Sequence, residues 1–161
     1  MAWSFLPTDY ESPKGNSNYL KLQDGDTKFR ILSDAITGWI DRADKKPIRT
    51  KDKPEMSYDP TRPAKHFRAF TVWDFEAKAI KILEITQKAI QNGIMWYYQD
   101  PDFGDPKDYP IKITKTGKDL ETKYQVKALW KEPLSPEITQ ARMDTPVNLE
   151  KLFDGADPFT K

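Results

Sequence analysis

The chain has 161 residues, with 26 lysines and arginines against 25 aspartates and glutamates, and its formal net charge is +1. Its single histidine and its lack of cysteine exclude a thiol nucleophile, a cysteine-based zinc site and an iron–sulfur cluster. With 37% hydrophobic and 12% aromatic residues, the chain is long enough to bury one core without disulfides. We therefore expect one domain with a tail, no cofactor and no enzymatic activity.

Alternating hydrophobicity predicts the first two strands. One covers residues 27–32 and the other residues 36–40, and in both the apolar side chains recur at every second position. The residues predicted to face inward are Phe29, Ile31, Ile36 and Ile40, and those predicted to face outward are Lys28, Arg30 and Trp39.

The middle of the chain combines a loop, two strands and a helix. A charged, proline-rich loop is predicted from about residue 41 to residue 64, and strands at residues 66–75 and 79–86 follow it as a hairpin. Thr86 is the predicted N-cap of a helix that ends near Gln99. The apolar side of this helix consists of Ile90, Ile94 and Tyr97.

Two further strands, at residues 109–116 and 120–130, turn lysines outward and apolar side chains inward. The whole pattern predicts a mainly β fold, an OB-fold-like five-stranded barrel with one main α-helix and an extended C-terminal tail. The usual OB-fold helix lies between the third and fourth strands, whereas the predicted helix follows the fourth, so the strand count can differ by one. The predicted organisation is an arm at residues 1–18, an OB-fold domain at 19–132 with a basic loop at 41–65, and an acidic tail at 133–161.

The sequence also predicts where the protein resides. No apolar run approaches the roughly 18 residues of a transmembrane helix. The N-terminal residues Met1-Ala2-Trp3-Ser4-Phe5 have neither the basic region nor the apolar core of a signal peptide. Because the lack of cysteine fits a reducing compartment, we expect a soluble cytoplasmic protein.

The near-zero net charge conceals a strong asymmetry. Residues 41–68 carry nine basic and five acidic side chains, and residues 112–131 carry six basic and two acidic side chains. Both segments have a net charge of +4, whereas residues 132–161 carry six acidic and three basic side chains. A basic body with an acidic tail indicates a polyanion as partner.

The basic segment runs directly into aromatic residues on a predicted strand. Cations beside aromatics suit single-stranded nucleic acid, because phosphates take the charge and unstacked bases take the rings. The sequence leaves open which face of the strand 66–75 is buried, since neither face is plainly polar. If Arg68 faces the ligand, Phe70 is its neighbour in stacking and Trp73 belongs to the core.

Three stretches carry a resemblance to a known group of proteins. They are residues 19–32, Phe70-Thr71-Val72-Trp73-Asp74, and residues 80–88 leading into the helix. In this order, over about residues 19–130, they resemble the single-stranded DNA-binding proteins of tailed bacteriophages. Residues 153–159 are similar to the acidic, Phe-terminated tips through which such proteins recruit replication partners. Unlike the T4-type members, the insertion here has no Cys/His zinc ligands, and Thr160-Lys161 follow the terminal Phe.

The resemblance implies a protein that coats single-stranded DNA with little sequence preference during phage replication or recombination in a bacterial host cell, with possible self-association along the DNA. The predicted DNA contacts are Lys28, Arg30, Trp39, Arg42, Lys45, Lys46, Arg49, Lys51, Lys53, Tyr58, Arg62, Lys65, His66, Arg68, Phe70, Trp73, Lys112, Lys123 and Lys127. The predicted partner-binding residues of the tail are Leu152, Phe153, Asp154, Asp157, Pro158 and Phe159.

The sequence also fits other interpretations. The charged loop suits a protein-interaction or virion module that binds an acidic partner. The carboxylates of residues 100–108 also suggest a metal-dependent nuclease. A calcium-binding loop is a separate possibility that the sequence does not fit, because a loop starting at Asp100 would need glycine where Asp105 stands and glutamate where Ile111 stands. The tail can also pack back on its own barrel instead of recruiting a partner.

Overall fold

The computed structural model describes residues 18–43, 46–57 and 61–159. The strands are β1 (Gly25–Ile31), β2 (Ile36–Ala43), β3 (Lys46–Thr50), β4 (Lys65–Asp74), β5 (Ala79–Ile85), β6 (Pro110–Thr116) and β7 (Lys123–Ala128). The helices are α1 (Lys88–Gln99) and α2 (Pro136–Asp144), with short 3-10 helices at Pro106–Asp108, Asp119–Glu121 and Leu149–Asp154. Most of the predicted arm, the predicted contacts Lys45 and Tyr58, and the side chain of Lys46 lie outside the described residues.

All seven strands form one antiparallel sheet, which confirms the mainly β fold. The order is β3-β2-β4-β1-β6-β7, and β5 pairs with β4 outside this path. Strand β4 is the centre of the sheet. β2 pairs with the first half of β4 and β1 with its last residues, and β5 runs along the opposite edge.

The strand count exceeds the five predicted. One reason is that residues 46–50 pair with β2, although the proline-rich segment around them was predicted to be a loop. The other is that the sequence pattern itself contains six strand segments, and the first two, predicted at residues 27–32 and 36–40, are separate strands beside the same edge of β4. In the described ranges, no helix has the length and apolar character that a membrane crossing needs.

Helix α1 closes one side of the sheet, as its sequence pattern predicts. Ile90 and Ile94 are buried in the first core cluster, and Tyr97 packs against it. The predicted N-cap is wrong by one residue, because Gln87 occupies that position without a side-chain cap and the helix begins at Lys88. The other buried members of the first core cluster are Leu20, Phe29, Ile31, Phe70, Val72, Leu83, Ile85, Tyr109, Ile111, Ile113 and Ala128.

The C-terminal segment covers the opposite side of β4 and β5. In the second core cluster, Leu149 and Leu152 pack with residues of these strands, and the buried members there are Phe67, Ala69 and Ile82. In the third core cluster, Ile138 of α2 packs with Leu32, Trp73 and Ile80. Helix α2 begins at Pro136 because Ser135 caps it, with the Ser135 hydroxyl accepting from the Ile138 N–H at 3.3 Å.

Gly38 lets three segments approach one another on the covered side. A Cβ atom at this position would lie 2.5 Å from the backbone oxygen of Thr50 and 3.0 Å from the rings of Phe67 and Phe153. The predicted arrangement of β2 is therefore confirmed in its orientation. Ile36 and Ile40, on the same face as Gly38, pack against the second core cluster.

Candidate nucleic-acid interface

Trp39 lies on the face of β2 that points away from the second core cluster. Its cross-strand neighbour on β4 is His66, and the two ring centroids are 5.4 Å apart in an edge-to-face arrangement. Lys53 brings its ammonium nitrogen to 5.3 Å from the Trp39 ring centroid. The indole is only half-buried, so it presents an aromatic surface beside the Lys53 ammonium and the His66 imidazole.

Arg68 follows His66 on the same face of β4. Its Nη1 donates to the backbone oxygen of Gln91 at 3.2 Å, which ties the guanidinium to α1. Gln91 is itself held by hydrogen bonds from its amide to the backbone oxygens of Ile85 at 2.8 Å and His66 at 3.3 Å. We call Trp39, Lys53, His66 and Arg68 the aromatic patch. Within the described residues, none of its three basic side chains forms an ion pair.

A groove of about 520 Å³ opens beside the aromatic patch. His66 and Arg68 belong to the patch and also line the groove. Its apolar lining comes from the sheet and from α1, through Ile31, Phe70, Ile85, Ile94 and Met95. Tyr98 adds an aromatic side chain that is 56% exposed. The groove therefore combines an apolar interior with a charged border, in which Arg68 and Lys107 stand with Asp34 and Asp105.

Lys107 also lines the groove, but its charge is compensated. Its ammonium contacts a carboxylate oxygen of Asp34 at 2.5 Å and one of Asp105 at 3.8 Å. The hydrogen bond to Asp34 raises the pKa of the Lys107 amine, which keeps it protonated. Of the groove's side chains, Arg68 is thus the permanent cation without an acidic partner in the part of the chain that the structure describes.

A second basic surface crosses three strands. Lys28 of β1 is in register with Lys112 of β6, which is in register with Lys127 of β7. With Lys123 these residues form what we call the lysine face. Lysines directly opposite one another repel, so an anion bound across them is favoured. The nearest acidic group to Lys112 is Asp26, at 3.8 Å.

Three more predicted contacts meet elsewhere on the sheet. Arg42, Arg62 and Lys65 line a recess of about 550 Å³ together with Asp41 and Glu84. Both acids already have partners, since Asp41 accepts from the backbone N–H of Arg42 at 2.8 Å and Glu84 pairs with an arginine of β3. The recess therefore keeps a positive character.

Arg30 and Arg49 were predicted to contact phosphates, but both guanidinium groups bind other groups of the protein instead. Arg30 does alternate away from the first core cluster, but it is only 4% exposed and its Nε donates to the backbone oxygen of Lys107 at 2.9 Å. Burial lowers the pKa of its guanidinium. The Nε of Arg49 donates to the carboxylate of Glu84 at 2.6 Å, and both side chains are largely covered.

Phe70 and Trp73 of β4 were predicted to stack on bases, but both side chains are buried in the core. Phe70 is buried in the first core cluster beside Phe29, with ring centroids 6.5 Å apart. Phe70 lines the groove but is only 3% exposed, so it does not offer a free ring face for stacking. Trp73 is buried in the third core cluster, which confirms the preferred assignment of this residue to the core.

The tail residues predicted to bind a partner pack on the protein's own sheet instead. Leu152 is 2% exposed, Pro158 is buried, and Phe153 and Phe159 pack against the second core cluster. Asp157 accepts from the backbone N–H of Phe159 at 2.9 Å, and Asp154 is exposed at the end of a 3-10 helix. Lys51, a predicted DNA contact, is also engaged with this segment, through Glu150 at 3.5 Å and the Phe153 ring at 5.4 Å.

The sequence interpretation missed the exposed aromatic residues of α1. Trp96 and Tyr98 are 61% and 56% exposed, whereas Tyr97 between them packs inward. The signal was present, because three consecutive aromatic residues on a helix span about 200° and cannot all share the buried side with Ile90 and Ile94. Trp130, after β7, is 89% exposed and was also not singled out.

The carboxylates between α1 and β6 shape turns. Asp100 accepts from the backbone N–H of Asp102 at 2.7 Å, and Asp105 accepts from that of Lys107 at 2.9 Å. Over the described ranges, no three His, Asp or Glu side chains come together as a metal site. No family model, no curated protein and no solved structure matches the chain.

Proposed function

We propose that this protein binds single-stranded DNA with little sequence preference, without enzymatic activity, and coats strands exposed during phage replication or recombination in the bacterial cytoplasm. The observation that carries the proposal is the half-exposed Trp39 ring, with His66 at its edge, Lys53 above it and Arg68 next along β4. A base stacks on such a ring while its phosphate meets the cations, and each stack contributes roughly 1–3 kcal/mol.

The connectivity of the sheet supports an OB-type barrel as the framework. β1 and β2 lie beside the same edge of β4, so together they act as one interrupted strand. With β3 set aside as an addition, five strands remain and α1 falls between the third and the fourth, where an OB-fold has its helix. The pairing of β1 with β6 corresponds to the contact between first and fourth strands in such a barrel.

The lysine face supplies a second element of the proposal, a track for the DNA backbone. Binding of phosphates by lysine releases counterions, so log affinity falls with log salt by about 0.7 for each phosphate neutralised on a single strand. If all three side chains contact phosphates, replacing Lys28, Lys112 and Lys127 by alanine should therefore reduce the slope of log affinity against log salt by about 2. An unchanged slope would remove the lysine face from the binding surface.

Titration with oligothymidylate, followed by tryptophan fluorescence, tests the function itself. We expect quenching without divalent ions and intact DNA afterwards, and loss of much of the quenching in Trp39→Phe. Trp130→Phe is the matched control, because this exposed indole lies outside the aromatic patch. A protein-interaction module would give no quenching, and a nuclease would need a divalent ion and shorten the DNA.

A further inference from the structure

We infer that the groove beside Tyr98 is a subsite for one unstacked nucleobase, whose neighbouring phosphate binds Arg68. The inference rests on the proposed function and deepens it, because it assigns to the bound strand a second contact of a different kind. Trp39 offers a half-exposed ring on the sheet, whereas the groove offers a recessed apolar surface next to it.

The size and lining of the groove suit a flat, largely apolar group. Its volume of about 520 Å³ lies in the range of small-molecule sites, which are apolar with a few polar groups placed around them. Met95 and Tyr98 come from α1, and Ile31, Phe70 and Ile85 come from the sheet. A base inserted between these two layers gains ring contact on Tyr98 and loses contact with water.

One unpaired cation at the groove favours a nucleotide over an uncharged apolar peptide or lipid chain, because Asp34 and Asp105 lie beside Lys107 and leave Arg68 without an acidic partner among the described residues. Arg68 is held at the groove by the backbone oxygen of Gln91 and has no acidic partner among the described residues. Lys107 is already paired with Asp34. A group with one negative charge beside an apolar ring therefore matches this border, and the aromatic patch continues directly from it through His66 and Arg68.

The buried polar side chains of the groove already have hydrogen-bond partners, which predicts weak discrimination between bases. The Gln91 amide donates to two backbone oxygens, and the Ser33 hydroxyl accepts from the backbone N–H of Thr71 at 2.9 Å. In the described part of the chain, no buried side-chain nitrogen or oxygen lacks a partner. The subsite therefore recognises the ring of a base rather than the hydrogen-bonding groups at its edge.

A comparison of two polymers tests the inference. The first is an oligothymidylate, and the second is a fully abasic oligodeoxyribose phosphate of the same length, which keeps the phosphates and lacks the bases. We expect Tyr98→Ala to weaken binding of oligothymidylate by about 5- to 150-fold, the loss of one base stack, and to leave binding of the abasic polymer unchanged. Tyr98→Phe keeps the ring and should bind both polymers like the unaltered protein.

Trp96→Ala is the matched control, since Trp96 is an exposed aromatic residue of the same helix that does not line the groove. It should bind both polymers normally. If Tyr98→Ala binds oligothymidylate normally while Trp39→Ala binds it weakly, the subsite is overturned and the proposed function stands. If Tyr98→Ala weakens both polymers equally, the residue has a structural role and the inference is also overturned. If the unaltered protein binds neither polymer, the proposed function itself fails.

Discussion

The two sides of β4 show how one strand serves two purposes. His66 and Arg68 point to the open side, where they border the groove and the Trp39 ring. Phe67 and Ala69 alternate with them and point to the other side, where the C-terminal segment covers them completely. The side with His66 and Arg68 is open only along the first half of β4, because Phe70 and Val72, further along the same side, are buried in the first core cluster.

The basic residues divide in the same way. On the covered side, Arg49 forms a largely covered ion pair with Glu84, and the Lys51 ammonium lies 3.5 Å from a carboxylate oxygen of Glu150 in an exposed ion pair. On the open side, Lys53 and Arg68 form no ion pair with any described residue. The lesson is that basic residues close together in sequence differ in availability according to the side of the sheet they reach.

The largest expected effect comes from removing a side chain of the covered side. Leu152→Ala deletes a buried side chain that packs on Phe67 and Ala69, so the free energy of unfolding should fall by about 2–5 kcal/mol. Denaturant unfolding measures the change. Leu120→Ala removes the same atoms from a fully exposed position and should cost less than about 0.5 kcal/mol. Equal stability of the two variants would show that the C-terminal segment is not part of the folded core.

A smaller effect, on binding rather than stability, is expected on the open side. Trp39→Ala removes the stacking surface and should weaken the binding of oligothymidylate by about 1–3 kcal/mol. Because the ring is half-exposed, the free energy of unfolding should change by less than about 1 kcal/mol. Fluorescence anisotropy of labelled DNA and thermal unfolding measure the two quantities. A variant that binds normally but unfolds easily would assign Trp39 to the core.

Lys51 and Lys53 provide a sharper comparison, because they lie two residues apart. Lys53→Ala should reduce the slope of log affinity against log salt by about 0.7, since this ammonium is available to a phosphate above Trp39. Lys51→Ala should leave the slope unchanged, because its ammonium lies on the covered side, beside Glu150 and Phe153 and away from Trp39. Affinity measured at several salt concentrations decides this, and equal slopes for the two variants would contradict the division between the sides.

The smallest effect concerns the exposed ion pair itself. A double-mutant cycle of Lys51→Ala and Glu150→Ala should give a coupling of about 0.2–1 kcal/mol in the free energy of unfolding, because both side chains are largely in solvent. The coupling should vanish at high salt. A coupling that persists there would mean that the pair is shielded from water more than its exposure indicates.

Alternation in the sequence predicted which way each side chain points, but not what covers it. It correctly placed Arg30 opposite Phe29 and Ile31, yet Arg30 is buried because Lys107, far away in the chain, supplies a backbone acceptor. For β4 the information was present in another form. Both of its faces carry apolar residues, Phe67 on one and Phe70 on the other, which is typical of a strand covered on both sides.

The candidate site was predictable in its chemistry rather than its geometry. The placement of Trp39 away from two isoleucines follows from period two and is confirmed in the structure. The groove was not predictable, because it needs α1, the connection between β1 and β2, and the loop before β6 to meet. Strand β3 was obscured by its proline and its two basic residues, and a strand of five residues carries little periodic signal.

Strand β3 has a consequence for how copies of this protein behave when crowded. It ends the sheet order, with β2 as its strand partner in the described part of the chain. A terminal strand offers unpaired N–H and C=O groups to extended segments of other molecules, which is a route to aggregation. β3 is only five residues long, and Pro47 within it has no N–H to offer. Its composition therefore limits how far this margin of the sheet can template pairing between copies.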